Sequence, residues 1–145
     1  LADPTDAQRL AEACAAAMWA SDCASQALGM RIVAIAPGEA RLDMQVRAEM
    51  ANGHGMCHGG FVFTLADSAF AFACNSRGQR MVAAQGDIAF VAPAEVGDTL
   101  TAEAREVHLR GRGGIYDVTV RNQAGGLIAE FRGHCRAIPG PVRPA

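Results

Sequence analysis

Residues 59–75, GGFVFTLADSAFAFACN, constrain the fold of this chain more than any other stretch. Their apolar spacing predicts a helix of roughly 17 residues, about 25 Å long at 1.5 Å per residue. The polar positions Thr64, Asp67 and Ser68 stand at i, i+3 and i+4, so they share one narrow face. Every other face is apolar, and a helix of that kind is enclosed by protein on most sides. Asp67 is therefore a lone carboxylate among Phe63, Leu65, Ala66, Ala69, Phe70 and Ala71. A buried carboxylate without a partner is costly and its pKa is easily displaced, which often marks a working group. A structural carboxylate satisfied by a partner is the competing reading, and the residues alone leave the two about even.

The rest of the chain supplies what covers this helix. DPTDAQRLAEACAAAMWA reads as a helix with Asp3 as its cap and Pro4 in the first turn. SDCASQALGM reads as a shorter helix stopped by Gly29. The period then changes. RIVAIAPGEARLDMQV predicts two strands around a Pro37-Gly38 turn, with Leu42, Met44 and Val46 alternating against polar neighbours. Strand-like runs follow at about 80–92, 98–109, 114–123 and 126–138. In the last, Leu127, Ala129, Phe131, Cys135 and Ala137 oppose Glu130, Arg132, His134 and Arg136. Such alternation marks antiparallel strands with one wet face. QAGG is a tight-turn candidate, PAEVGD a longer connection, and the tail PGPVRPA is expected to be irregular. The expectation is an α+β fold, one buried helix against about six antiparallel strands. It forms one domain over 1–145, with N-terminal helices at about 4–28 and the core at about 30–138. Spare Phe, Met and Ala positions also call for a partner subunit.

Composition excludes several classes. With 145 residues and a net charge of −2, the chain has no basic footprint for nucleic acid. No apolar run reaches the roughly 18 residues that span a membrane, and Phe61–Cys74, the longest, contains Asp67. The five cysteines are widely spaced with no CxxC, which points to free thiols in a reducing compartment. With no secretory signal evident, a cytoplasmic location is expected.

HGG stands where the central helix begins. The first amides of a helix lack internal partners and carry the positive end of its dipole. With no side chains in the way, the amides of Gly59 and Gly60 can polarise a carbonyl and stabilise an oxyanion. The plain alternative is that two glycines let the chain turn tightly. Gly59 and Asp67 are eight residues apart, about 12 Å along one helix, too far to act on one carbonyl carbon. If both serve one reaction, a second copy of the helix must bring its Asp67 to Gly59, as two antiparallel helices in a homodimer would.

The stretch NGHGMCHGGFVFTLADSAFAFACNS resembles the hotdog-fold acyl-CoA thioesterases, in particular the phenylacetic acid degradation (PaaI-like) group. The likeness continues through VAAQGDIAFVAPAEVGDTLTAEA and GIYDVTVRNQAGGLIAEFRGHCRAI and covers roughly residues 30 to 138. It implies a long central helix wrapped by an antiparallel sheet, homodimers joined edge to edge and paired into homotetramers, and an active site at the dimer interface. It implies acyl-CoA as substrate, with no cofactor and no metal. Residue by residue, Asn52 matches the loop Asn that places water or thioester, and His58 the residue that sets the loop before the helix. Gly59 matches the amide donor to the thioester oxygen, and Asp67 the catalytic carboxylate, as nucleophile or general base. Gly60, Phe61, Thr64 and Ser68 fall on the substrate side of the same helix, with Phe63 and Phe70 as further acyl-pocket candidates. Arg110 and Arg112 are candidates for the CoA phosphates, with a solvated charged turn as the equal alternative. Some relatives carry a Ser or Thr in the strand after the helix; here the region reads Ala83, Ala84, Gln85, and Gln85 is the candidate substitute.

Other readings compete. His54, Cys57, His58, His134 and Cys135 are ligand-capable, yet HGMCH matches no standard metal-ligand spacing. Cys57 beside His58 near a helix N-terminus suggests a thiolate nucleophile, but adjacent residues rarely orient a base on the neighbouring thiol. A non-catalytic acyl-CoA-binding protein and a dehydratase of the same fold are the others. Aryl-acyl thioesters, such as phenylacetyl-CoA or its ring-hydroxylated form, are the expected substrates, with medium-chain aliphatic thioesters as the alternative.

Overall fold

The computed structural model describes residues 4–142. Helix α1 (Pro4–Trp19) and the short α2 (Cys23–Ala27) precede a hairpin of β1 (Arg31–Ala36) and β2 (Glu39–Gln45). A 3-10 turn (Ala48–Met50) and a loop lead to α3 (Gly59–Cys74), followed by β3 (Gln79–Phe90), β4 (Thr99–Arg110), β5 (Gly113–Arg121) and β6 (Leu127–Pro141). The expected cap at Asp3 lies outside the described residues. Asp22 caps α2 by accepting from the Ser25 amide at 3.0 Å. Gly29 and Gly38, at φ 71° and 77°, make the turns after α2 and between β1 and β2, where a side chain would be strained.

All strand pairs are antiparallel, in the order β1-β2-β4-β5-β6-β3. The alternation read from sequence decides the faces. Leu42, Met44, Leu100, Ala102, Val118, Val120, Ala129 and Phe131 are buried, and they enclose Leu65, Ala66, Ala69, Phe70 and Ala73 of α3. Fully burying a large apolar side chain contributes roughly 1.5–3 kcal/mol, so the packing of the sheet on α3 is a main contribution to the stability of the fold. The sheet approaches the helix closely because it has glycines where the rings lie. A Cβ on Gly133 would stand 2.8 Å from the Phe70 ring, and one on Gly86 would stand 3.0 Å from that of Phe131.

One expectation is corrected. The tail was expected to be irregular from Pro139, but β6 continues through Pro139–Pro141, with Pro141 opposite Gln79. β5 ends its pairing at Arg136, so the last residues of β6 pair on one side only, and a proline there costs no ladder bond on the open side. The 3-10 turn at Ala48–Met50 is additional to the sequence reading. β3 is also distinctive. It lies at the free edge, and nearly all its side chains are exposed rather than alternating. Among the described residues, no helix is long and apolar enough to cross a membrane.

Candidate active site

The site is built at the N-terminal end of α3. His58 is the cap: its backbone is extended, and its Nδ1 accepts from the Gly60 amide at 2.9 Å. The Phe61 amide donates to the His58 carbonyl at 3.0 Å. The Gly59 amide has no acceptor among the described residues. Two glycines thus yield one available donor at the positive end of the helix dipole. Asn52 shapes the loop in front of it, its Oδ1 accepting from the amides of His54 at 2.9 Å and Met56 at 3.2 Å. The Cys57 amide donates to the Ala94 carbonyl at 2.8 Å, which ties this loop to the β3–β4 connection.

Asn52 and Gly59 both face a cavity of about 450 Å³, whose other walls are Met56, Cys57, Val62, Phe90, Val91, Ala92, Pro93, Ala94 and Ile128. That volume is in the range of small-molecule sites, which are mostly apolar with a few placed polar groups. The Phe90 ring lies directly on Gly59: a Cβ there would be 2.9 Å from Phe90 Cζ.

Asp67 does not line this cavity. It is two turns further along α3, only partly exposed, with no hydrogen-bond or ion-pair partner among the described residues. Burial pushes its carboxyl above the usual range. Thr64 and Ser68, on the same side of the helix, are engaged within the chain. The Thr64 hydroxyl donates to the Gly60 carbonyl at 2.8 Å, and the Ser68 and Ser25 hydroxyls are 2.8 Å apart. Ser25, itself bonded to Asp22 at 2.7 Å, was not singled out from sequence, since nothing in the spacing links residues 25 and 68.

The remaining candidates are dispersed. Phe61 is half-buried with its ring edge-on to His58, and Phe63 packs edge-on to Phe131. Phe70 is in the core against Tyr116 and Phe131. None of these three walls the cavity. Gln85 follows a bulge in β3 and stands opposite His134. Arg110 and Arg112 flank the β4–β5 turn, and Arg112 donates to the Ala137 carbonyl at 3.2 Å. Ala137 pairs with Met81, whose amide donates to Asn75 Oδ1 at 2.8 Å, so these arginines sit beside the C-terminal end of α3, opposite Gly59. The aromatic wall at Phe90 and Val91 escaped the sequence reading; the only hint was an apolar pair at the end of a strand just before Pro93.

The geometry bears on the competing readings. The Cys57 thiol contacts the His58 carbonyl at 3.6 Å, not the imidazole, and burial pushes its pKa up. A cysteine nucleophile requires the opposite shift. Among the described residues, no group of three or more His, Cys, Asp or Glu side chains is placed to hold a metal ion.

Comparison with known proteins agrees with this picture. Residues 54–129 match the family described as Thioesterase superfamily. The chain is 44% identical over 126 residues to the acyl-coenzyme A thioesterase PaaI of Escherichia coli (strain K12), covering 87% of this chain and 90% of that protein. The solved structure of E. coli PaaI, from the phenylacetic acid degradation operon, superposes with a TM-score of 0.91 at 43% identity, covering 92% and 97% of the two chains. A Streptococcus mutans UA159 protein solved with acetyl CoA bound is 28% identical with a TM-score of 0.75, covering 79% and 91%. The free helix-terminal amide, the carboxylate without a partner, the helix-in-sheet architecture and these likenesses converge: the chain belongs to the thioesterase superfamily and has its hotdog fold.

Proposed function

We propose that this chain is an acyl-CoA thioesterase acting on aryl-acyl thioesters such as phenylacetyl-CoA or hydroxyphenylacetyl-CoA, releasing the free acid and CoA. The observation that carries the reading is a pair of unsatisfied groups on one helix. Gly59 offers an amide with no acceptor, and Asp67, two turns along the helix and only partly buried, offers a carboxylate with no partner. Such a pair suits thioester chemistry. The amide receives the carbonyl oxygen as it becomes an oxyanion, and the carboxylate attacks the carbonyl carbon or takes a proton from the attacking water. The C–S bond then breaks and the sulfur leaves as thiolate. Asn52 and His58 hold the loop and the helix start that present the Gly59 amide. The names of the E. coli relative and the acetyl-CoA-bound S. mutans neighbour support the substrate class.

Because the two groups are about 12 Å apart along one helix, the working site takes Gly59 from one subunit and Asp67 from its partner. The free edge of β3, with exposed Val82, is the natural seam for a homodimer, which pairs further into a homotetramer. An antiparallel arrangement of the α3 helices also brings the partner's C-terminal end, with its Arg110 and Arg112, toward Gly59, where they are available to CoA phosphates. The whole chain works as one cytoplasmic domain.

Thiol release from a panel of acyl-CoAs, comparing wild type with Asp67→Asn, tests the reading. The expected result is turnover of aryl-acetyl-CoA that falls about 100-fold or more in the variant. Equal, negligible turnover by two folded proteins that still bind acyl-CoA points instead to a non-catalytic binding protein. Single turnover in labelled water separates the two roles of Asp67, because label entering its carboxylate reports a covalent anhydride.

A further inference from the structure

We propose that Phe90 sets acyl selectivity in this site by excluding thioesters branched at the carbon next to the carbonyl; the inference rests on the thioesterase reading. Gly59 does not adopt a positive φ, so its backbone does not require glycine. A Cβ at residue 59 would instead meet the tip of the Phe90 ring, whose Cζ and Cε1 stand 2.9 and 3.1 Å from its position, so a side chain there displaces the ring. The ring therefore rests on the helix terminus that carries the free amide. Its backbone position is fixed from behind: β3 pairs Phe90 with Ala129, and the next amide, Val91, donates to the Ile128 carbonyl at 2.8 Å. Its outer side is open in the single chain, the residue being 56% exposed.

A carbonyl oxygen bound to the Gly59 amide must come within about 3 Å of the nitrogen. In this proposal the first acyl carbon passes along the Phe90 ring into the cavity between Met56, Val62, Val91 and Ile128. A CH2 at that position slides past a flat ring, whereas a methyl branch meets it. The chemistry selected is a slender acyl group, an aryl-acetyl or straight-chain thioester.

The test compares phenylacetyl-CoA with 2-phenylpropionyl-CoA, which differ by one methyl at the decisive carbon. The wild type is expected to prefer the unbranched substrate in kcat/KM by about 10- to 200-fold, the range one methyl group commands in a shaped pocket. In Phe90→Ala the preference falls to within about 3-fold, while inhibition by free CoA, which lacks the acyl group, is unchanged. Phe90→Leu, which keeps an apolar wall, gives an intermediate preference. Gly59→Ala slows turnover by driving the ring into the acyl path, and the Gly59→Ala, Phe90→Ala double variant recovers part of that loss. The proposal fails if Phe90→Ala slows both substrates by the same factor, or if the double variant is no faster than Gly59→Ala. Affinities for the non-hydrolysable thioether analogues of the two substrates make the same comparison without turnover. A wild type that binds the straight analogue selectively yet hydrolyses nothing overturns the hydrolase reading and supports this one; hydrolysis without selectivity overturns only this one.

Discussion

Asp67 holds a charge that the folded chain would be more stable without. Burial raises its carboxyl pKa, and no partner offsets that. The sign of the pH dependence follows. Below the ordinary carboxylate value of 3.8 the group is protonated in both the folded and unfolded chains, and there is no penalty. As pH rises through the folded pKa, the folded state gives up its proton against burial and stability is lost; above it the loss is constant. Asp67→Asn is therefore expected to raise the stability of the folded chain modestly at pH 7, because solvent at the partly exposed carboxylate screens part of the penalty. The gain disappears near pH 3. A variant equally stable or less stable at pH 7 would show that a hidden partner satisfies the charge. Cys57 gives the opposite outcome at the same scale: with its thiol pKa raised and its contact on a backbone carbonyl, Cys57→Ser retains most of the turnover. Asn52→Ala removes the acceptor for two loop amides, which costs about 1–2 kcal/mol locally and lowers kcat/KM more than it lowers the global midpoint.

At the scale of elements, α3 is positioned by rings against glycines. Phe70 lies between Tyr116 and Phe131 with Gly133 behind it. Gly133→Ala places a methyl 2.8 Å from a ring that is 1% exposed and has no room to turn, so overpacking of about 1–3 kcal/mol is expected in chemical denaturation. The Gly59 contact differs in kind, because the Phe90 ring is exposed and is displaced toward the acyl path rather than compressed. The far end of α3 is fastened by a polar cluster. The buried Tyr116 hydroxyl donates to Glu106 Oε2 at 3.0 Å, and Arg77 Nε donates to the same oxygen at 3.0 Å. Burial, together with the negative Glu106, raises the Tyr116 pKa, so the phenol keeps its proton and its hydrogen bond into strongly alkaline solution.

At the scale of the whole molecule, the two faces and the edge of the sheet differ in chemistry. Across five strands, one outer row reads Glu39, Arg105, Asp117, Arg132, Asp87, with alternating sign at every step. Within it Arg132 forks onto Asp117 at 2.7 and 2.8 Å. A row of that kind suits water. The β3 edge does not: it ends the sheet with a strand paired only to β6, carrying Val82, 40% exposed, and runs into Phe90 and Val91, 56% and 54% exposed. Sedimentation is accordingly expected to show a dimer or larger assembly. Val82→Lys, which places a charge on that edge, is expected to shift the protein toward monomer and to remove thioester hydrolysis while leaving the helical signal intact. A fully active monomer would sink the shared-site reading.

The sequence by itself determined the central helix and the alternating strands, and it singled out Gly59 and Asp67 as candidates, with Asn52 and His58 added by the family resemblance alone. Those signals are local: helical spacing, period two and the peptide groups at a helix start all lie within a few residues. It also placed Gly59 and Asp67 too far apart for one chain to use both, because rise per residue is a property of the helix alone. Only the tertiary structure decided which amide is left free, since the engagement of Gly60 by the His58 side chain depends on a rotamer. It also decided that Ser68 meets Ser25 and that Phe90 lies on Gly59. These contacts join residues about 30 to 40 positions apart, brought together by strand order and register, which no window of the sequence contains.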